Sequence, residues 1–348
     1  MRILRILLYP LVPVYELVIR TRNYCFNRGI FKSRKVAAKV ISVGNLTVGG
    51  SGKTPAVIYI TRLMKSLGYD TGVLSRGYKR KSKGYLYVSD GDKIFYDVSE
   101  TGDEIYQTVL ECNVKAAVAE KRVPGAEKLI KDSGASLIIL DDGFQHRWLH
   151  RDLDIVLFDQ RFLTSSDKYE NMLLPTGNLR EPYSSLKRAD IIIINRKFSE
   201  KKKLPYRAEK YFEGKSLFFS HYHAVGFVDV KDGEFYDIND FVGQKSLIIN
   251  GIANPYSFIK VLNTLSIDTT SRLIFLDHNN YNHKEVQKIR KEFYASNSSS
   301  VITTHKDAVK LNRFKREMDD IDIYYLKIEM VIENKEKFEE LILQKIKK

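Results

Sequence analysis

Apolar residues along this chain come in two rhythms. Runs at 40–43, 137–140, 153–158 and 191–194 are aliphatic and largely β-branched. They lack polar alternation, so they read as strands buried on both faces. Between them lie stretches with helical spacing, the first at 56–67 (AVIYITRLMKSL). The same alternation recurs further on. Strands are expected at 216–229, 246–253, 271–276 and 321–330, and from residue 298. Helices follow Pro255 and residue 307 and cover 333–347. This order predicts α/β structure with largely parallel sheets in both halves. A hairpin turning at Asp90-Gly91 is expected over 83–96.

The first strand runs into TVGGSGKT, residues 47–54. Gly49, Gly50 and Gly52 let the backbone curl with its N–H groups turned inward. A phosphate fits that concavity, at the positive end of the helix that follows. Thr47, Val48 and Ser51 complete the loop, Lys53 reaches the β- and γ-phosphates, and the Thr54 hydroxyl holds Mg²⁺. The P-loop pattern G-x-x-x-x-G-K-[ST] is broken only at its first glycine, which is Thr47 here. Pro55 falls in the first helical turn, where its missing N–H is harmless.

Residues 136–146 (SLIILDDGFQH) form the second motif. A buried strand delivers Asp141 and Asp142 at its C-terminal end, the Walker B arrangement that positions Mg²⁺ or its water shell. Gln145 and His146 follow at the same edge. Arg76, after the strand at 72–75, either contacts phosphate there or is a solvated arginine beside a turn. Arg180, in the loop 174–182 (LPTGNLREP), either meets a phosphate or is a solvated loop arginine. Taken alone, Asp103 and Glu104 at a helix start read as acids favoured by the helix dipole. A lone His278 at a strand end reads as structural, and His221 and His223 are too few for a metal site.

The net charge of +14 implies an acidic partner. In residues 1–40, Arg2, Arg5, Arg20, Arg22, Arg28, Lys32, Arg34, Lys35 and Lys39 face only Glu16. They flank an apolar stretch at 3–19, which points to an anionic membrane surface rather than nucleic acid. As a helix that stretch is about 26 Å long, marginal for a span. No small-residue cleavage site follows it, which speaks against a signal peptide. It either lies in the membrane interface or packs on the protein's own core. Cys25 and Cys112 are too few for a disulfide framework, which fits a reducing cytoplasm.

Together these features predict an α/β fold in which a P-loop NTPase-like α/β/α core spans 36–205. A second, smaller α/β domain with a C-terminal helix spans 206–348, and a membrane-associated helix lies in 1–35. The chemistry is nucleotide-driven phosphoryl transfer. The motifs alone leave three acceptors open: a lipid, a soluble small molecule, or only water in a membrane-recruited NTPase switch.

The blocks VGNLTVGGSGKTP, LSRGYKRK, GDE, DDGFQHR, GNLREP, GIANP, FLDHNNY and THKDAVK occur in that order from Val43 to Lys310. Jointly they resemble the tetraacyldisaccharide 4'-kinase family. The resemblance implies transfer of the ATP γ-phosphate to the 4'-hydroxyl of a tetraacylated glucosamine disaccharide 1-phosphate, giving lipid IV(A). It also implies work at the cytoplasmic face of the bacterial inner membrane, with the nucleotide between two α/β/α domains. It assigns Asp103 and His278 a catalytic dyad and Asp141 and Asp142 the carboxylates near Mg²⁺, with Asp142 the preferred contact. Which member of the dyad takes the proton stays open. Two positions depart from the family's pattern: Asn279 where a second histidine is expected, and His305 where an acid is expected.

Overall fold

The computed structural model describes residue 5 and residues 7–277 and 279–347, and of Arg207 the backbone alone. His278 therefore lies outside the described residues. The strands are β1 (Lys39–Asn45), β2 (Thr71–Ser75), β3 (Leu86–Asp90), β4 (Lys115–Val118), β5 (Leu137–Asp141), β6 (Leu153–Asp159) and β7 (Ile191–Asn195). They continue with β8 (Ser216–Asp229), β9 (Phe235–Tyr236), β10 (Lys245–Asn250), β11 (Asp268–Ile274), β12 (Ser300–Thr304) and β13 (Ile323–Ile332). The longer helices are α1 (Val12–Asn27), α2 (Lys53–Ser66), α3 (Asp103–Cys112), α4 (Arg122–Ser133), α5 (Pro255–Thr264), α6 (His283–Ala295), α7 (His305–Leu311) and α8 (Lys335–Lys347).

The strand order β11-β10-β12-β13-β8-β7-β6-β1-β5-β2-β4-β3 makes one continuous sheet. Two separate sheets were the expectation from the chain's alternation. They merge because β8 is long enough to serve both halves. Its first residues, Ser216–Ser220, run parallel to β7, and Ser220–Asp229 run antiparallel to β13. The 83–96 hairpin is reduced to a turn with one bridge, Ser89 to Ile94, because β3 pairs instead with β4 at the sheet edge.

β1 sits between β5 and β6, all parallel, and every residue from Val40 to Asn45 is buried. Strand order reverses at β1, so a crevice opens beyond its C-terminal end. One face of this half is covered by α2 and α3, with Ile60 and Val109 against Ile41, Ile139 and Ile193. α8 joins the same core through Phe338, Ile342 and Ile346, although it follows the second half in sequence. The other face packs Phe144, Phe158 and Leu186 against Val12 and Tyr15 of α1. In the second half, α5 covers one face through Phe258 and Leu262, and α6 and α7 the other through Val286 and Leu311.

The apolar N-terminal stretch becomes a short turn, Tyr9–Leu11, and then α1, which Pro13 opens and which runs on to Asn27. Its inner face docks: the Tyr15 hydroxyl donates to the Arg180 carbonyl at 2.9 Å and Asn23 to Glu181 at 2.9 Å. Its outer stripe, Leu11, Val14, Leu17, Val18 and Tyr24, is exposed. No helix among the described residues is long and apolar enough to cross a membrane.

Candidate active site

Past the end of β1 the backbone turns through Leu46–Gly52 and enters α2 at Lys53. The turn is held from outside by the 174–182 loop. Val48 N–H donates to the Asn178 carbonyl at 2.8 Å, Arg180 N–H to the Leu46 carbonyl at 2.7 Å, and Thr47 bridges to Leu179. Gly49 and Gly52 adopt left-handed φ of 100° and 95°, which favour glycine. A side chain at Gly52 would strike Asn195 and the Tyr222 hydroxyl, whereas one at Gly49 or Gly50 would meet nothing within 4 Å. The loop is thus braced behind and open in front. Ser51 is buried beneath it, accepting from Asn45 Nδ2 at 2.8 Å.

Lys53 Nζ lies 3.4 Å from Asn45 Oδ1 and 3.5 Å from Asp142 Oδ1. Arg180 forks onto both Asp142 oxygens, at 2.9 and 2.8 Å, and also donates to the Asn45 carbonyl at 3.0 Å. Arg180 is therefore no solvated loop residue; it ties the 174–182 loop to the ends of β1 and β5. Burial would raise the Asp142 carboxyl, but Lys53 and Arg180 outweigh it and hold it well below the usual carboxylate range. Asp141 behaves oppositely. Buried and beside Asp142, it is pushed up, and it accepts from Ser75 Oγ at 2.9 Å. Gln145 donates to the Asn45 carbonyl at 3.0 Å. Burial and the Arg122 cation lower the His146 imidazole to about 4, so it is neutral near pH 7. Thr54 is half-buried in the first turn of α2, and Arg76 is exposed at the end of β2.

Asp103 and Glu104 form a second cluster. Asp103 is buried in the first turn of α3. Lys306 and Lys310 of α7 approach its Oδ2 at 3.7 and 3.6 Å, and Lys306 lies 3.7 Å from Glu104. Burial and the neighbouring Asp103 push Glu104 up, to a degree that Lys306 only partly offsets; Asp141 raises it further. That coupling links the two clusters across the sheet edge. Asp103 also lines a cavity of about 350 Å³ between the halves, with Tyr78 and Lys79 on one side and Tyr281 and Arg313 on the other.

His305, the departure noted above, stacks on Tyr325 with centroids 4.1 Å apart and pairs with Glu111 at 3.2 Å. Sequence reasoning missed Arg122. It begins α4, is 3% exposed, and gives one N–H to the Ala119 carbonyl. Its Nε and Nη2 have no partner among the described residues. Burial lowers it to about 10, and Asp141 and Asp142 partly restore it. It lies just beyond β4, at the sheet edge where β1 and β5 also end, a placement no local sequence pattern marks.

No group of three His, Cys, Asp or Glu side chains among the described residues makes a metal cage. The oxygens of Thr54, Asp141 and Asp142 do suit Mg²⁺, which takes one or two carboxylates and leaves its other positions to phosphate and water.

The model of the family described as "LpxK: Tetraacyldisaccharide-1-P 4'-kinase" matches residues 4–347. A tetraacyldisaccharide 4'-kinase of Aquifex aeolicus is 34% identical over 343 residues, covering 97% of this chain and 98% of that protein. One of Halothermothrix orenii is 36% identical over 350 residues, covering 94% and 89%. The crystal structure of an "apo" form of LpxK from Aquifex aeolicus in complex with ATP has a TM-score of 0.80 and 33% identity, covering 99% of each chain.

Proposed function

This chain belongs to the tetraacyldisaccharide-1-P 4'-kinase family, and from that premise we propose how its own residues carry the reaction. The reaction transfers the ATP γ-phosphate to the 4'-hydroxyl of tetraacyldisaccharide 1-phosphate, a step of lipid A biosynthesis. The supporting observation is the convergence of Lys53 and Arg180, from separate segments, on one carboxylate beneath an open glycine loop.

In this reading residues 47–54 are a P-loop. Their N–H groups and the α2 dipole hold the triphosphate, with Thr47, Val48, Gly49, Gly50, Ser51 and Gly52 forming the cradle. Lys53 and Arg180 exchange Asp142 for phosphate oxygens as the nucleotide enters. Their charge then meets the charge that develops on the transferred group. Arg122, with two donors unmatched, adds a further cation, and Arg76 and Gln145 border the same edge. Mg²⁺, held by Thr54 and Asp142 with Asp141 behind, would neutralise the β- and γ-oxygens.

A sugar hydroxyl is a weak nucleophile until a base takes its proton. Two buried adjacent acids do not both ionise easily. Glu104 keeps a proton to higher pH, while Lys306 and Lys310 favour the charge on Asp103. Asp103 is thereby the base of this cluster, and His278 its partner. Residues 36–205 supply the phosphate side, and 206–348 close the cleft through α7. The exposed apolar stripe of α1 lies in the membrane interface with its basic flank on anionic headgroups, bringing the cleft to a lipid that stays in the bilayer.

The test is direct: incubate the full chain with ATP, Mg²⁺ and the tetraacylated disaccharide 1-phosphate in mixed vesicles, then weigh the lipid by mass spectrometry. A gain of one phosphate is expected. ATP hydrolysis with an unaltered lipid would favour the NTPase switch instead.

A further inference from the structure

We propose that Lys310 is a positioning residue for this reaction: one buried ammonium fixes the Asp103 carboxylate and anchors the chain just beyond position 278. The inference rests on the reading of Asp103 as the base.

The lysine is 7% exposed at its side chain. Its Nζ donates to the Asn279 carbonyl at 3.0 Å and lies 3.6 Å from both Asp103 Oδ2 and Asp307 Oδ1. The carbonyl contact is a hydrogen bond and the two carboxylates lie at ion-pair distance; the three partners come from three elements: α3, α7 and the segment after β11. Asp307, fully buried, is itself locked. Its Oδ2 accepts from Gly251 N–H at 2.9 Å and Thr304 Oγ1 at 2.8 Å. A chain of polar contacts thus runs from the end of β10 through Asp307 and Lys310 to Asp103.

The arrangement is more specific than helix packing requires. A buried lysine paired with one acid would satisfy its charge. Here the same group also holds a backbone carbonyl of the segment that carries position 278. Among the described residues, charged groups facing Asp103 include Glu104 on its own helix and Lys306 and Lys310 on α7, with Asp307 behind Lys310.

The experiment is steady-state kinetics on lipid vesicles across pH, with Lys310→Met, Asp307→Asn, Asp103→Ala, Asp103→Asn and the Asp103→Asn/Lys310→Met pair. Lys310→Met should lower kcat about a hundredfold, the scale of a small misplacement at a reacting centre, with KM for ATP unchanged. Its acid limb of kcat/KM should move to higher pH, because a carboxylate that has lost a neighbouring cation keeps its proton longer. Asp307→Asn releases the ammonium from one anchor and should lower kcat by less, without moving the acid limb upward, because it removes an anion rather than a cation; it covers the case in which Lys310→Met fails to fold. In the Asp103→Asn background, Lys310→Met should cost nothing further. Full kcat with an unmoved acid limb in Lys310→Met, or full kcat in Asp307→Asn, beside an inactive Asp103→Ala, overturns the inference alone. Wild-type turnover in Asp103→Ala overturns the reading of Asp103 and the inference with it.

Discussion

Asp142 and Glu104 are both acids at the same sheet edge, and they are driven in opposite directions. Asp142 sits where Lys53 and Arg180 converge, and it is held ionised. Glu104 sits beside another acid with one lysine at 3.7 Å, and burial pushes it towards its neutral form. Neither residue type nor depth explains the difference. The charges facing each carboxylate do: two cations at Asp142, against one lysine and the Asp103 carboxyl at Glu104. In the proposed reading, the first region accepts a phosphate's negative charge once its cations are released from Asp142. The second holds Asp103 between the lysines of α7 and the Glu104 carboxyl.

The largest break in this contrast comes from removing the Asp103 carboxyl. Asp103→Ala is expected to lower kcat by about 10²–10⁴-fold, the usual share of a general base, while ATP binding by calorimetry stays near wild type. Wild-type turnover would remove Asp103 from the chemistry. On the phosphate side the loss is spread over several donors. Lys53→Ala should cost about 10²–10³-fold in kcat, the scale for one preorganised charge donor. A comparable loss in Arg180→Ala but not in Lys53→Ala would mean that Arg180 carries the phosphate charge.

Arg180→Lys sharpens the same point with a smaller effect. A lysine has no fork to reach both Asp142 oxygens and the Asn45 carbonyl at once. About a tenfold fall in kcat is expected by order of magnitude for a lost bidentate contact. An unchanged rate would reduce Arg180 to a simple positive charge.

Much of the phosphate region was legible because its parts are local. The glycine loop, Lys53 and Thr54 are contiguous, and Asp141-Asp142 end an apolar run that reads as a buried strand and is one. Arg180 was visible as a candidate, but its fork onto Asp142 joins positions 38 residues apart, which no local pattern encodes. Arg122 was missed for the same reason: a lone arginine at a helix start looks solvated until β4 and β5 end at one sheet edge, on either side of β2. The base region was less legible still. Asp103 and Lys310 lie in opposite halves of the sequence, and only the merging of both halves through β8 and β13 brings α7 onto α3. Without the resemblance of the GDE and THKDAVK blocks, Asp103 read as a helix-start acid. The return of α8 to the first core was also unreadable, since an amphipathic helix does not say which sheet it covers.

The smallest effect tests the contrast through stability alone. Below the ordinary glutamate range Glu104 is protonated whether the chain is folded or not, so it contributes no pH dependence. Above that range the unfolded chain releases the proton while the folded chain, in which burial and Asp103 raise the group, retains it. The folded state then binds more protons, so stability falls as pH rises, until the folded group also ionises. Glu104→Gln cannot ionise and lacks this slope. Its melting temperature relative to wild type should therefore climb between pH 5 and pH 8, by about 2 °C for a chain of this size. A gap that stays constant over that interval would mean that Glu104 ionises as freely in the fold as in water, and the asymmetry between the two acids would be lost.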